Sequence, residues 1–129
     1  METGNKHEVK ATVTKELTAA SAKSGSLQVF ATPFMVALME QAASELCDKY
    51  TDEGVTTVGT ALDIQHLAAT YVGVEVRAVA TVTSFDGRKV SFEVEAYDNA
   101  GIIGKGTHER FCVKTEKFMQ KAIERAAIK

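Results

Sequence analysis

No stretch of this 129-residue chain approaches the roughly eighteen consecutive apolar residues that a membrane-crossing helix requires. The opening Met1-Glu2-Thr3-Gly4-Asn5-Lys6-His7 also lacks the apolar centre of a secretory signal, so no membrane is expected and the expected location is the cytoplasm. Neither sign of charge dominates. Lys and Arg number 15 against 17 Asp and Glu, a formal net charge of −2, with no basic stripe and no acidic tail, so nucleic acid is not an expected partner. Only two cysteines occur, Cys47 and Cys112, and they form neither a closely spaced metal pair nor a redox CxxC. Both read as small buried apolar residues rather than a disulfide, and no metal site is expected. No repeat, linker or low-complexity block divides the chain, and its length suits a single domain over residues 1–129.

What is present is one long helical signal. From Pro33, the only proline, to Tyr50, the residues Met35, Leu38, Met39, Ala42, Ala43, Leu46 and Tyr50 recur at the i, i+3, i+4, i+7 spacing of one buried stripe. Thr32 has the chemistry of an N-cap, and proline suits the first helical position. At about 1.5 Å per residue the helix spans roughly 27 Å, the width of a small domain. Glu40 lies just off the stripe, where a carboxylate is costly without a partner or a task.

The remainder reads as strands. Glu8 to Leu17 alternates before the helix; Val55 to Thr70, Val72 to Phe85, Lys89 to Asp98 and Ile102 to Val113 follow it. Asp86-Gly87 is a tight-hairpin signal and Asp98-Asn99-Ala100-Gly101 a longer reversal, which makes the last three strands antiparallel neighbours. Thr18 to Ser26 is small and polar, a loop placed to act as a lid over the start of the helix. From Thr115 the apolar residues Phe118, Met119, Ala122, Ile123, Ala126 and Ala127 mark an amphipathic C-terminal helix that serves as a cap or partner surface. The order predicts an α+β fold: a curved antiparallel sheet of five or six strands wrapped around one long central helix. Open sheet edges need cover, and pairing across a two-fold axis predicts a homodimer, with a dimer of dimers also open.

Three histidines are candidates for chemistry. His7 sits in a polar terminus. His66 ends the alternation Val58, Thr60, Leu62, Ile64, His66 and so shares a face with apolar side chains directed at the helix; alone, it is also readable as a core histidine satisfied by a carbonyl. His108 alternates with Gly104, Gly106 and Arg110, and two glycines on one face imply a close approach by helix or ligand. A hydroxyl at the mouth of the helix (Thr32), a carboxylate two turns in (Glu40) and an imidazole on a covering strand (His66) are the parts of a nucleophile or water-activating set.

Three blocks go further than composition. Val29-Phe30-Ala31-Thr32-Pro33-Phe34-Met35-Val36-Ala37-Leu38-Met39-Glu40, then Thr57-Val58-Gly59-Thr60 through Asp63-Ile64-Gln65-His66-Leu67-Ala68-Ala69-Thr70, then Gly106-Thr107-His108-Glu109-Arg110-Phe111 resemble the fluoroacetyl-CoA thioesterase-like branch of the hotdog-fold thioesterases. The resemblance runs from about residue 8 to residue 113. It implies a hotdog dimer with active sites at the subunit interface that hydrolyses acyl-CoA, with no cofactor. By position it implies Thr32, Glu40 and His66 as catalytic residues, Gly59 against the thioester and Arg110 near the acyl end, with Phe34 and Val36 shaping the acyl site. Ala19 to Ser26 does not match the aromatic lid associated with fluoroacyl selection in the specialised member, so the resemblance does not extend to that substrate. The alternatives are a hotdog module that binds or senses acyl-CoA without turnover and, among enzymes, a hotdog hydratase or dehydratase.

Overall fold

A computed structural model describes residues 1–129. The long helix, α2 (Thr32–Asp48), follows β1 (Lys6–Thr12) and a four-residue helix α1 (Ala19–Ala22); after it come β2 (Val55–His66), β3 (Glu75–Phe85), β4 (Lys89–Asp98), β5 (Gly101–Lys114) and α3 (Thr115–Ala126). The strands form one antiparallel sheet in the order β1-β3-β4-β5-β2, so there are five strands, and β1 and β2 are its edges.

The helical stripe is buried as its spacing predicts. Met35, Met39, Ala42 and Ala43 are fully covered and Leu38 and Leu46 nearly so, but Tyr50 lies beyond the helix end, about half exposed, and Cys47 takes the last buried position. The facing sheet supplies Val76, Ala78, Ala80 and Val82 from β3 and Val90, Phe92, Val94 and Ala96 from β4, all buried. Alanines on both surfaces let helix and sheet approach closely without voids. Cys47 and Cys112 are free thiols, the first buried and the second half-buried.

The hairpin between β3 and β4 follows its sequence signal. Asp86 Oδ1 accepts from the backbone N–H groups of Arg88 (2.9 Å) and Lys89 (2.7 Å), and Gly87 adopts the left-handed φ of 94° that the turn requires. Other boundaries move. The first strand ends at Thr12, where its partner β3 begins at Glu75, and Lys15–Leu17 forms a 3-10 turn. The expected loop after it contains α1, capped by the Thr18 hydroxyl accepting from Ser21 N–H at 3.2 Å. β2 stops at His66 rather than Thr70, because Leu67 and Ala68 both turn their N–H groups to the Ile103 carbonyl. His7 belongs to β1, where its ring joins α2: Nε2 donates to Glu45 Oε1 at 2.9 Å, and Lys49 Nζ donates to Nδ1 at 3.0 Å.

The most consequential departure is in β2. Its register against β5 shifts between Gly59 and Ala61, leaving Thr60 as the extra residue of a β-bulge. The expected alternation places Val58, Thr60, Leu62, Ile64 and His66 inward; the bulge keeps Leu62, Ile64 and His66 on that face but turns Thr57 and Gly59 inward in place of Val58 and Thr60. Thr57 is accordingly buried.

The glycine pair of β5 marks close approach. A Cβ on Gly104 would lie 2.5 Å from Met35 Sδ, and one on Gly106 would collide with the Asp63 carbonyl and lie 2.8 Å from Ile64 Cα. The Gly106 collision is with backbone and cannot be relieved by a rotamer change. Gly106→Ala is therefore expected to lower the unfolding free energy by about 3 kcal/mol or more in urea titrations, beyond the usual range for a surface substitution; a loss under about 1 kcal/mol would contradict this packing.

Candidate active site

Residues Thr32, Val36 and Glu40 follow one another at i, i+4 and i+8, so they share one stripe of α2, beside the buried one. At its N-terminal end Thr32 does not cap the helix. Ala31 occupies the cap position with extended backbone (φ −74°, ψ 138°) and no side-chain capping bond is made. The Thr32 hydroxyl is instead directed across to β2, where Oγ1 lies 2.8 Å from His66 Nδ1. The other ring nitrogen, Nε2, is buried with no hydrogen-bond partner in the chain. Burial lowers the His66 pKa below the ordinary histidine value, and the Ala68 carbonyl opposes that shift. A neutral imidazole with a hydroxyl on Nδ1 is a base in contact with a candidate nucleophile.

Glu40 lies about 12 Å further along the axis, by the rise of eight helical residues, and makes no contact with His66. Its neighbours are Gly59, His108 and Arg110. Arg110 Nη1 is 3.8 Å from Glu40 Oε2; the arginine side chain is 8% exposed and the glutamate 37%. A Cβ on Gly59 would lie 2.8 Å from Glu40 Oε2, 3.2 Å from His108 Cε1 and 3.3 Å from Arg110 Nη1, so a side chain there would push the carboxylate aside and crowd the other two groups. The guanidinium is held by donation from Nε to Thr57 Oγ1 (2.9 Å), from Nη2 to the Thr57 carbonyl (3.0 Å) and from Nη1 to His108 Nε2 (3.2 Å). Burial lowers the Arg110 pKa, and the carboxylate of Glu40 is among the groups that raise it. The Cys47 thiol, against Thr57, has its pKa pushed up by burial.

One chain thus brings the sequence-predicted residues together in two groups: Thr32 with His66, and Glu40 with Gly59 and Arg110. The set of Thr32, Glu40 and His66 expected from the sequence is not assembled within one chain, because Glu40 does not reach the other two. Val36 stands between the two groups on the shared stripe. Phe34 joins neither; about 200° around the helix from Thr32, it lines a small apolar cavity with Leu17, Phe30, Ala37 and Leu38. The reading from sequence missed Thr57 and left His108 unassigned. The Thr57 signal was hidden by the bulge; that of His108 was its alternation with Arg110. No group of three or more His, Cys, Asp or Glu is arranged to hold a metal ion.

Comparison with known proteins identifies the family. The family model described as fluoroacetyl-CoA-specific thioesterase matches residues 13–116. The chain belongs to the fluoroacetyl-CoA-specific thioesterase family. A curated relative in this family, the fluoroacetyl-CoA thioesterase of Streptantibioticus cattleyicolor, is 44% identical over 94 residues, covering 73% of this chain and 68% of the relative. A solved fluoroacetyl-CoA thioesterase superposes with a TM-score of 0.92 at 34% identity over 100% of this chain and 98% of the other. A hot-dog-like protein from Thermanaerovibrio acidaminovorans matches over 100% of this chain and 96% of its own with a TM-score of 0.90; at 24% identity it bears on the fold alone, which is the hotdog.

Thr57 supplies two of the three acceptors that hold the buried cation of this family member. Thr57→Val keeps the volume and the carbonyl but deletes the hydroxyl, and is expected to cost about 1.5 to 3 kcal/mol, the range for a hydrogen bond to a charged group. Chemical denaturation checks this; an unchanged midpoint would mean that the guanidinium is held without it.

Proposed function

We propose that this protein hydrolyses acyl-CoA thioesters to the free acid and CoA, acting as a homodimer whose catalytic clefts lie along the β2 edge. The observation that carries the reading is the 2.8 Å contact between the Thr32 hydroxyl and His66 Nδ1 at the positive end of α2. In this reading Nδ1 takes the proton of the attacking oxygen, either the Thr32 hydroxyl itself or a water held by it. The start of α2 and the Gly59 backbone are the groups suited to the charge that develops on the carbonyl oxygen. The CoA thiolate leaves with the proton held by His66, and where Thr32 is the nucleophile a water then attacks the acyl-threonine ester by the same proton transfer to Nδ1, releasing the acid and restoring the hydroxyl.

The open edge supports the dimer. Residues 59–63 of β2 are exposed, with Leu62 43% accessible, and β2 has a sheet neighbour on only one side. Within one chain Gly59 and His66 are separated by seven residues of strand, roughly 23 Å. Antiparallel pairing with a second copy centred on Ala61 sets residue 56 of the copy opposite His66, and brings the copy's Gly59 within about 10 Å along the strand. The carboxylate group of one protomer and the hydroxyl-imidazole pair of the other would then border one cleft, which supports Glu40, Gly59 and Arg110 as functional partners of Thr32 and His66. Val36, midway on the same helical stripe, fits the floor of that cleft.

Free-thiol release over a panel of acetyl-, propionyl- and aryl-acyl-CoA esters tests the activity. Thr32→Ala and His66→Ala are each expected to lower kcat/KM by about 10²- to 10⁴-fold, and no wild-type turnover above the double variant on any ester would refute the reading. The base must be neutral to act. Since burial lowers its pKa, kcat/KM should stay level as the pH falls through the ordinary histidine value of about 6.5 and decline only below it; an acid limb centred above that value would exclude His66 as the base.

A further inference from the structure

His108 is 1% exposed in the middle of β5, with its ring stacked on Phe92 at a centroid distance of 5.9 Å and an interplanar angle of 25°. Both ring nitrogens are committed. Nδ1 is 2.9 Å from the carbonyl of Ala61, and Nε2 is 3.2 Å from Arg110 Nη1. A carbonyl only accepts and a guanidinium only donates, so the hydrogen is on Nδ1 and the lone pair on Nε2. The Ala61 carbonyl belongs to the bulge, where the β2–β5 ladder is interrupted. The ring therefore bridges the deformation that turns Gly59 inward and the cation that faces Glu40.

We propose that His108 is a positioning residue for the reaction: with its ring oriented by the Nδ1 bond to Ala61, it holds the Arg110 guanidinium at its distance from Glu40 through Nε2. This rests on the thioesterase reading above. Thr57 fixes the Nε and Nη2 side of the guanidinium, and His108 fixes Nη1. Without an acceptor at the His108 position, Nη1 is free to close on the Glu40 carboxylate, converting a 3.8 Å separation into a tight pair that occupies the oxygens the cleft would use. A protonated ring could not do the work of the neutral one, because it would set an N–H against the guanidinium. Burial and Arg110 both oppose protonation, while the Ala61 carbonyl, Glu40 and Glu109 favour it; the balance lowers the pKa.

The two bonds can be separated by substitution. Asparagine places its amide where Nδ1 stands and can still donate to Ala61, but offers nothing to Arg110. Glutamine reaches the Nε2 position with an acceptor for Arg110 and gives up the Ala61 bond. His108→Asn is expected to lose about 10- to 100-fold in kcat, one to two steps of about 1.4 kcal/mol, with KM for the CoA ester changed less than about threefold. His108→Gln is expected to retain at least about a third of wild-type kcat. Equal losses in both variants that track their loss of thermal stability, or an unchanged kcat in His108→Asn, would overturn the proposal.

A second measurement does not depend on turnover. In protein labelled with 15N-histidine, one ring assigned by its loss in His108→Gln should carry its proton on Nδ1 and stay mostly neutral as the pH falls through about 6.5. A proton on Nε2, or titration at the ordinary value, would overturn the assignment even in an active enzyme. Absence of turnover on every ester, with the Nδ1 tautomer intact, would instead remove the thioesterase reading and leave the brace as a structural one.

Discussion

A guanidinium buried between the sheet and the central helix is the constraint from which the rest of this site follows. Arg110 sits in β5 with its side chain almost wholly withdrawn from water, where an uncompensated charge costs several kcal/mol. Thr57, His108 and Glu40 answer that cost from three elements. Thr57 must face inward, which the plain alternation of β2 does not allow, and the bulge at Thr60 provides the change of face. Once Thr57 turns in, Gly59 turns in beside it, and a side chain there would displace the carboxylate and crowd the imidazole and the guanidinium. The bulge, the glycine and the buried histidine are thus one solution to one electrostatic problem.

The hydroxyl-imidazole pair is built by different means. Thr32 is released from capping because Ala31 takes the cap position without a side-chain bond, and Pro33 fills the first turn at no loss of a donor. His66 reaches it because β2 ends there, the chain turning away as Leu67 and Ala68 bond to Ile103. One group is thus anchored at a helix start and a strand end, the other at a bulge in the middle of the sheet. Both border the open edge of β2, and in the proposed dimer it is this edge, not the interior of one chain, that would bring them to a common substrate.

Much of the fold was legible because local signals and tertiary packing agree. The apolar stripe of α2, the Asp86-Gly87 turn and the order of the last three strands all follow from periodicity and turn chemistry, and Gly104 and Gly106 mark the close approach their pairing suggested. The candidate site was legible in some of its residues, with Thr57 missed and His108 unassigned, but not in its connections. Alternation from His66 backwards is correct as far as Leu62 and fails at Thr60, because a bulge is a property of two strands and leaves no period in one. Thr32 carries every local mark of a capping residue, and only a distant strand shows that its hydroxyl is used elsewhere. Glu40, two turns along, was grouped with His66 by proximity in the sequence pattern; the helical rise separates them, and the partner that Glu40 has comes from β5.

The two buried histidines make the division of labour concrete. Burial lowers the pKa of both, so both are neutral near pH 7. They differ in what their neighbours can do. His66 Nδ1 meets a hydroxyl, which can donate or accept, so a proton can cross that contact and the ring can change state during a reaction. His108 lies between a carbonyl that can only accept and a guanidinium that can only donate, so no proton can move across either bond without breaking it. The pKa direction is the same for both rings and distinguishes nothing; the chemical identity of the groups at the two nitrogens suits one ring to act as a base and the other as a brace.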